Sequence, residues 1–544
     1  MSKVSYYLQD HLSGEVMDST DARRYFSTDA SVFTITPTLA VYPRNEADIR
    51  KTARFTWQLA ERGRLLPITA RGSGTDQTGA ALGTGIIMAL PAHMHRILEL
   101  DSRGGKVLVE PGLNYGKLQQ TLMTHGHFIP AAPSSMEYST VGGAVANNAS
   151  GDRSFKYGDT RLYVESLRVV LANGEVITTK PLAKRELSKK LGLATLEGEV
   201  YRRVDALIEE NEKLITGLKL NVTKNSAGYD IWDVKTKNTF DLTPLFVGSE
   251  GTLGIISEIS FRTIPYNPSK TLLLGTFDDI TSIAEAVREL RSMSELPSSI
   301  ELVDKGVFEL LHETHPNLLK DPLLNPYPNF VLLVEFDDIN ERSQKRDAKK
   351  AQKILTQYAK AIKIATTSET QLEFHRIRQS VAAIINQNRG NLRALPIIED
   401  GIVPPESLAD YLDGIYQMLA KNHIKTAVWG HVGDANLIIQ PYLDLSQVGD
   451  RQTIFRLLEE YTALITRLGG STSAGHGDGR LRGPYLEKIY GSEIYDLFQK
   501  VKQIFDPYGT MNPGVKMNVG VDDIKALLRH DYDVGAGYEH LPMR

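Results

Sequence analysis

An α+β fold is what this sequence predicts, and three observations predict it. Near the start a strand, a helix and a strand follow one another (AVYP, NEADIRKTARFTWQLAERG, LLPITA), and short apolar runs separated by turn residues come next. In the second half TLLLGTF, a helix near 279–294, SIELVDKG and NFVLLVEF repeat the strand–helix–strand theme. Three glycine-rich segments, at 71–75, 133–151 and 248–256, interrupt the strand-like text.

Each element has a local reason. Residues 1–36 are polar and read as a helical lead-in. Asn45 caps the helix after AVYP, apolar residues recur along it at helical spacing, and Gly63 ends it. GIIMAL, RILELD and KVLVEPG have core-strand character, and in LRVVLANGEVITT the pair Asn173-Gly174 predicts a tight hairpin turn. VGSEGTLGIIS leads into the strand EISFRTIP, and PYNPSK marks a boundary. A helical stretch is expected over 341–390, a strand at TAVWGH and a last helix ending near Phe505. The expected units are 1–36, 37–265, 266–480 and a C-terminal helical segment, 481–544.

Composition narrows the function. At about 150 residues per domain the chain has room for three to four units, and 41% hydrophobic against 24% charged residues can bury a sizeable core. Lys plus Arg number 62 and Asp plus Glu 66, a formal charge of −4, which argues against nucleic-acid binding by bulk electrostatics. The chain has no cysteine, so disulfides, thiolate zinc sites, iron–sulfur clusters and cysteine nucleophiles are excluded together. No run approaches the roughly 18 apolar residues that span a bilayer, and the first residues lack an apolar signal core. The expected location is the cytoplasm, with peripheral attachment at the inner membrane surface left open.

A phosphate group asks for backbone N–H groups and room for close approach. Arg71-Gly72-Ser73-Gly74-Thr75 follows a strand with two glycines, two hydroxyls and a cation. Alone it is as readily a surface turn, and it matches neither the P-loop nor the GxGxxG pattern. Three such cradles in one chain fit an elongated anionic ligand with a pyrophosphate at its middle.

The phrases ITARGSGT, VEPG, PAAPSS, STVGGAVANNASG, YGDTR, LANGEV, FVGSEGTLGII and DPYGTMNPG occur in that order, over residues 40–515. In this ordered set the chain resembles the flavoproteins of the vanillyl-alcohol oxidase and p-cresol methylhydroxylase (PCMH) type, in the branch of FAD-linked D-lactate, glycolate and D-2-hydroxyglutarate dehydrogenases. The resemblance implies a two-part PCMH-type FAD-binding domain and a ferredoxin-like α+β cap over the flavin ring. By position it assigns the pyrophosphate to Arg71, Gly72, Ser73, Gly74 and Thr75. Pro133, Ser134, Ser135, Thr140, Gly142, Gly143, Asn147, Ser150 and Gly151 would line the flavin. Gly251, Ile255 and Ile256 would meet the adenosine side, and Asn512 would lie near the ring. Some relatives attach FAD through histidine; residues 71–76 contain none, so non-covalent FAD is expected.

The resemblance further implies FAD-dependent oxidation of a small 2-hydroxy acid, with hydride passing to flavin N5. That chemistry takes a cation for the carboxylate and a base for the hydroxyl proton. Arg378, in EFHRIRQS, falls on the carboxylate position, with Arg376 its rival and helix-surface pairing with Glu373 its plain alternative. His476, in SAGHGDG, falls on the general base. His431 and Asn436, in GHVGDAN, follow a strand end and are the other candidates. Relatives that bind a divalent metal carry a histidine, six residues, a second histidine, and a glutamate before the base. Ile438 and Gly475 stand at two of those places, so no metal is expected. The histidine pairs at 93/95, 125/127 and 312/315 lack ligand spacing and read as surface or turn residues.

Three alternatives stay open: oxidation of a different alcohol or polyol, a non-redox flavin transferase resembling alkylglycerone-phosphate synthase, and a catalytically silent flavin protein. Without cysteine, electrons would pass directly to a quinone, a carrier flavoprotein, a cytochrome or oxygen. No nucleic-acid partner is expected, and a homodimer stays open.

Overall fold

Parallel strands must be joined by a crossover, and the first sheet shows one. In the computed structural model, which describes residues 2–314, 326–365, 367, 369–374, 377 and 391–530, β1 (Glu15–Met17), β2 (Leu39–Tyr42), β3 (Ile68–Arg71) and β4 (Ile86–Ala89) pair in the order β1-β2-β4-β3. β4 runs parallel to both β2 and β3. The helix Glu46–Glu61 returns the chain between β2 and β3. Asn45 Oδ1 accepts from the Asp48 N–H at its start, and Ile49, Thr52, Ala53 and Thr56 bury one face. The lead-in is more than helical, because β1 joins the sheet through Val16 opposite Val41.

The second sheet is antiparallel throughout. Its strands β5 (Ile97–Asp101), β6 (Lys106–Val109), β7 (Val164–Val170), β8 (Val176–Thr179) and β9 (Ile255–Arg262) pair in the order β5-β6-β9-β7-β8. The expected turn at Asn173-Gly174 joins β7 to β8, and Asn173 Oδ1 accepts from Glu175 N at 2.9 Å. Segment 133–151 is more regular than its composition suggests. Val141–Asn147 is a helix, and Thr140 Oγ1 caps it by accepting from Gly143 N at 3.3 Å.

The cap is a seven-stranded antiparallel sheet. Its strands are β10 (Thr271–Phe277), β11 (Ser299–Asp304), β12 (Phe330–Phe336), β13 (Ala361–Ala365), β14 (Gly401–Ile402), β15 (Val428–Gly430) and β16 (Asn436–Ile439), in the order β13-β10-β12-β11-β15-β16-β14. The helical stretch expected over 341–390 is therefore broken. Glu341–Tyr358 is helical, but Ala361–Ala365 pairs along β10, where partner backbone outweighs local propensity. Alternation sorts the strands into two faces. Leu273, Leu302, Leu332, Val428, Leu437 and Ile439 enter one core with the helices Ile280–Arg291, Leu408–Lys421 and Val448–Arg467. Leu274, Val303, Leu333, Trp429 and Ile438 enter a second with Phe308, Phe374 and Ile377.

The C-terminal helix Leu486–Phe505 returns to the cofactor side. Leu486, Tyr490, Ile494, Phe498 and Val501 bury in the core of the second sheet. The N-terminal lead-in meets the segment after the last long helix where Phe33 pairs with Leu528. No helix among the described residues is long and apolar enough to cross a membrane.

Candidate functional site

A cavity of about 570 Å³ opens where the first two sheets face the cap. That is within the roughly 300–1,000 Å³ typical of small-molecule sites. All three glycine-rich segments reach it. Its lining includes every residue from Arg71 to Gln77, Pro133, Ser134, Ser135, Thr140, Gly142, Gly143, Asn147, Gly251 and Ile256. A Cβ on Gly72 would sit 2.2 Å from Thr140 Oγ1, so the first two cradles touch only because that residue is glycine. Ser139, on the same wall, is buried, and its Oγ has no hydrogen-bond partner among the described residues. Small residues and many main-chain groups fit a phosphate-bearing dinucleotide.

Several sequence candidates have other work. Arg71 lines the cavity mainly as backbone, because its guanidinium donates to Thr28 O at 2.8 Å and lies over the Phe26 ring. Asn512 is not in the lining; it donates to Ala80 O at 2.9 Å and to Glu250 O at 2.8 Å, and accepts from Thr69 Oγ1. Asn436 is likewise away from the cavity, holding β14 through Gly401 O at 2.9 Å. Ile255 faces a core behind β9. Gly151 lies against Ala132 O, and Ser150 accepts from Lys224 Nζ at 3.0 Å. Arg378, Arg376 and His315 fall outside the described residues.

Both histidine candidates do line the cavity, and each is backed by a buried carboxylate that the sequence did not flag. His431 Nδ1 is 2.6 Å from Glu301 Oε1, leaving Nε2 for the cavity. The sheet register makes this pair: Leu302 lies opposite Gly430, which brings Glu301 beside His431. His476 Nδ1 is 2.8 Å from Glu399 Oε1, and the His476 N–H donates to Asp400 Oδ2 at 2.8 Å. Its side chain is 38% exposed against 8% for His431, so it is the more open of the two. Burial pulls the His476 imidazole down, but the Glu399 and Asp400 carboxylates outweigh that and hold it at about 9. Burial likewise pushes Glu399 up, and His476 with Arg482 more than reverses it, holding the carboxyl at about 2. Arg482 donates to Glu399 Oε1 at 2.8 Å, and Gln77 donates to Glu399 Oε2 at 2.8 Å.

One cation in the lining was also missed. Arg153 faces the cavity with its guanidinium over the Phe128 ring and its Nε 3.5 Å from Glu335 Oε1. Burial disfavours its charge, yet Glu335 and Asp152 overcome that and raise its pKa. The signal was present in Gly151-Asp-Arg-Ser154, a charged pair set directly after a glycine-rich ligand segment. For the carboxylates the signal was Leu395-Pro-Ile-Ile-Glu-Asp-Gly401, where two acids end an apolar run.

The donor set does not fit a divalent metal of the kind some relatives bind. Ile438 presents hydrocarbon beside His431, and a Cβ on Gly475 would sit 2.4 Å from Ser150 Oγ and 3.2 Å from Ser150 N. The room a third ligand would need is filled. Among the described residues no group of three His, Cys, Asp or Glu side chains is placed to hold a metal. Gly475→Glu is accordingly expected to cost about 1–3 kcal/mol of stability by overpacking. Thermal unfolding with and without added Zn²⁺ or Mn²⁺ checks this; a metal-dependent rise in the variant's midpoint would contradict it.

A two-part α+β ligand domain with three glycine-rich segments beneath a capping sheet is the two-domain FAD-binding fold of the PCMH type. The chain belongs to the FAD-linked oxidase family. Residues 37–180 match a model described as an FAD binding domain, and 267–515 one described as FAD linked oxidases, C-terminal domain. Glycolate oxidase subunit GlcD of Bacillus subtilis (strain 168) is 30% identical over 500 residues, 91% of this chain and 93% of that protein. D-2-hydroxyglutarate dehydrogenase of Escherichia coli (strain K12) is 31% identical over 521 residues, 93% of this chain but 50% of that protein. The chain thus spans about half the length of that relative. Among solved structures, 4-ethylphenol oxidase from Gulosibacter chungangensis in its isoeugenol complex superimposes with a TM-score of 0.67 at 14% identity, over 96% of this chain and 99% of that one, a likeness of fold.

Proposed function

We propose that this chain binds FAD non-covalently and oxidises a 2-hydroxy acid without a metal ion. The observation that carries the reading is the meeting of two carboxylate-backed imidazoles with three glycine-rich cradles in one cavity. Arg71 to Thr75 by their main chain, Pro133 to Ser135, Thr140 to Gly143, Asn147, Gly251 and Ile256 would hold the cofactor. FAD, when bound, supplies the two-electron acceptor for the carbinol hydride. The remaining chemistry belongs to side chains. Glu399 and Glu301 each fix one ring nitrogen, so that Nε2 of His476 or His431 can meet the substrate hydroxyl. His476, the more open ring, takes the hydroxyl proton, and Glu399 stabilises the imidazolium that results. Arg153 binds the substrate carboxylate, and Arg378 is a second candidate for it on sequence position alone. A cation in the lining favours an acid over a neutral polyol.

The test is direct. The purified protein should be yellow, heat should release its FAD into the supernatant, and 2-hydroxy acids should bleach the flavin absorbance under anaerobic conditions while polyols do not. Flavin that stays with the precipitated chain would contradict non-covalent binding, and failure of every 2-hydroxy acid to bleach it would contradict the reaction.

A further inference from the structure

If the cavity is an FAD site, as the reading above has it, the shape of its first cradle depends on two segments that lie outside it. Residues 27–35 form a closed loop behind Arg71–Thr75. Its ends meet where Ile35 N donates to Ser27 O at 2.8 Å, and Thr28 pairs with Thr34. The loop is tied to the cradle at two points. Arg71 Nη2 donates to Thr28 O at 2.8 Å, and Ala30 N donates to Gly74 O at 3.1 Å. A third contact lies just beyond the cradle, where a Cβ on Gly79 would sit 2.7 Å from the buried Phe33 ring. Ala80 and Ala81, which follow, line the cavity as Arg71 and Gly74 do.

The bond from Ala30 has a directional effect. A trans peptide carries its C=O and its N–H on opposite sides, so fixing Gly74 O on the loop turns the Thr75 N–H away from it. Thr75 lines the cavity, where main-chain amides are what a phosphate takes. A loose glycine-rich segment would have to order its backbone on binding; here the loop orders it beforehand and lowers that cost. The loop in turn is closed by residues from the other end of the chain. Arg529, only 5% exposed, donates through Nε to Phe33 O at 2.8 Å and through Nη2 to Asp29 O. Its main-chain N–H donates to Val32 O at 3.0 Å, and Thr34 N donates to Leu527 O at 2.9 Å.

We propose that residues 27–35 are a cofactor-retaining strap and that Arg529 is a positioning residue, setting FAD affinity from outside the cavity by closing that strap on the first cradle. Arg71 is the link between the two: its main chain lines the cavity while its guanidinium grips the strap. The turn of that guanidinium away from the expected phosphate position is thereby explained.

The experiment follows release of FAD from the holoprotein over a series of dilutions, read as the rise in flavin fluorescence, and takes Kd from the fraction released. Arg529→Met and Arg71→Met should each raise Kd about tenfold, what the loss of one or two hydrogen bonds commands. The double variant should fall short of the roughly hundredfold product, because both substitutions cut the same strap. Ile283→Ala hollows the cap core in another helix, so it should lower the thermal midpoint. It should nevertheless leave Kd within about twofold of the wild type. Hydrogen exchange of the unsubstituted protein gives a second reading: FAD should slow exchange at Ala30, Thr34 and Arg529 as well as at residues 71–77. An Arg529→Met protein that folds and holds FAD as tightly as the wild type overturns this inference alone, as does an equal loss of affinity in Ile283→Ala. Where the arginine variants do not fold, exchange decides, and protection confined to residues that line the cavity overturns it. FAD that is absent from the unsubstituted protein, or that never leaves it, overturns the parent reading and this one together.

Discussion

His476→Gln should lower kcat for hydroxy acid oxidation by about 10²–10⁴-fold, the contribution of a positioned acid–base group, while leaving the flavin bound. The pH profile tells that role apart from mere support. A general base works in its neutral form, and Glu399 with Asp400 holds His476 at about 9 against the pull of burial. The neutral fraction therefore grows as pH rises and saturates above that value. In the wild type, log kcat/KM should climb with unit slope from near neutrality and flatten near pH 9. Glu399→Gln removes the strongest influence raising the imidazole, so the break should move down toward the ordinary histidine value of 6.5. Glu399 acts through His476 as a positioning residue, and a loss of rate without this shift would mark it as structural only. Steady-state rates across pH, with flavin content checked for each variant, decide the matter. Activity that falls between neutrality and pH 9 would remove His476 from the role of base.

Local chemistry written in short spacing was legible in the sequence. Asn45 before an amphipathic run gave the first crossover helix, and Asn173-Gly174 gave the β7–β8 hairpin. The three glycine-rich segments stood out as places of close approach because glycine is needed where a neighbour leaves no room for a Cβ, as at Gly72 against Thr140. What escaped depends on partners far away in the chain. Glu301 reaches His431 across 130 positions, through adjacent strands, and Glu399 reaches His476 across 77. Nothing in a linear pattern couples them until the sheet order is known. The direction of a long side chain was equally hidden: Arg71 stands at the expected place but turns its guanidinium toward the N-terminal segment. Asn512 and Asn436 show the same limit. Polar residues inside matched motifs look like ligand contacts, yet here their amides satisfy buried carbonyls that the fold would otherwise leave unpaired. The helix Val141–Asn147 was missed because two glycines depress its propensity, while the Thr140 cap and close packing against Pro111 favour it.

Lys516→Met should destabilise the folded chain by about 3–5 kcal/mol, the cost of removing one partner from a buried ionic group. The Lys516 ammonium is fully buried, 2.8 Å from Asp478 Oδ2 and 3.0 Å from Glu250 Oε2. It also donates to Ser226 O at 3.0 Å. One cation serves two carboxylates, and burial pushes the Glu250 carboxyl up even against the pull of Lys516. These groups pin the 476–479 loop to the third cradle, since Gly479 N donates to Glu250 Oε1 at 2.9 Å and Glu250 lines the cavity. With the lysine gone, two anions share a fully buried space, and a proton on Glu250 is the cheapest relief. A carboxyl whose folded pKa lies above its unfolded one stabilises at acidic pH and loses that contribution as pH rises through the folded value. The deficit of Lys516→Met should therefore be small at about pH 5.5 and large at about pH 8. Flavin affinity should weaken in parallel, because the same carboxylate orders the cradle. Thermal unfolding of both proteins at the two pH values measures this. Adding Glu250→Gln to the variant should restore much of the loss by removing the surplus charge while keeping an acceptor for Gly479. An equal deficit at both pH values would mean that Lys516 acts through packing alone, and that the loop bearing His476 is held by something other than this shared ammonium.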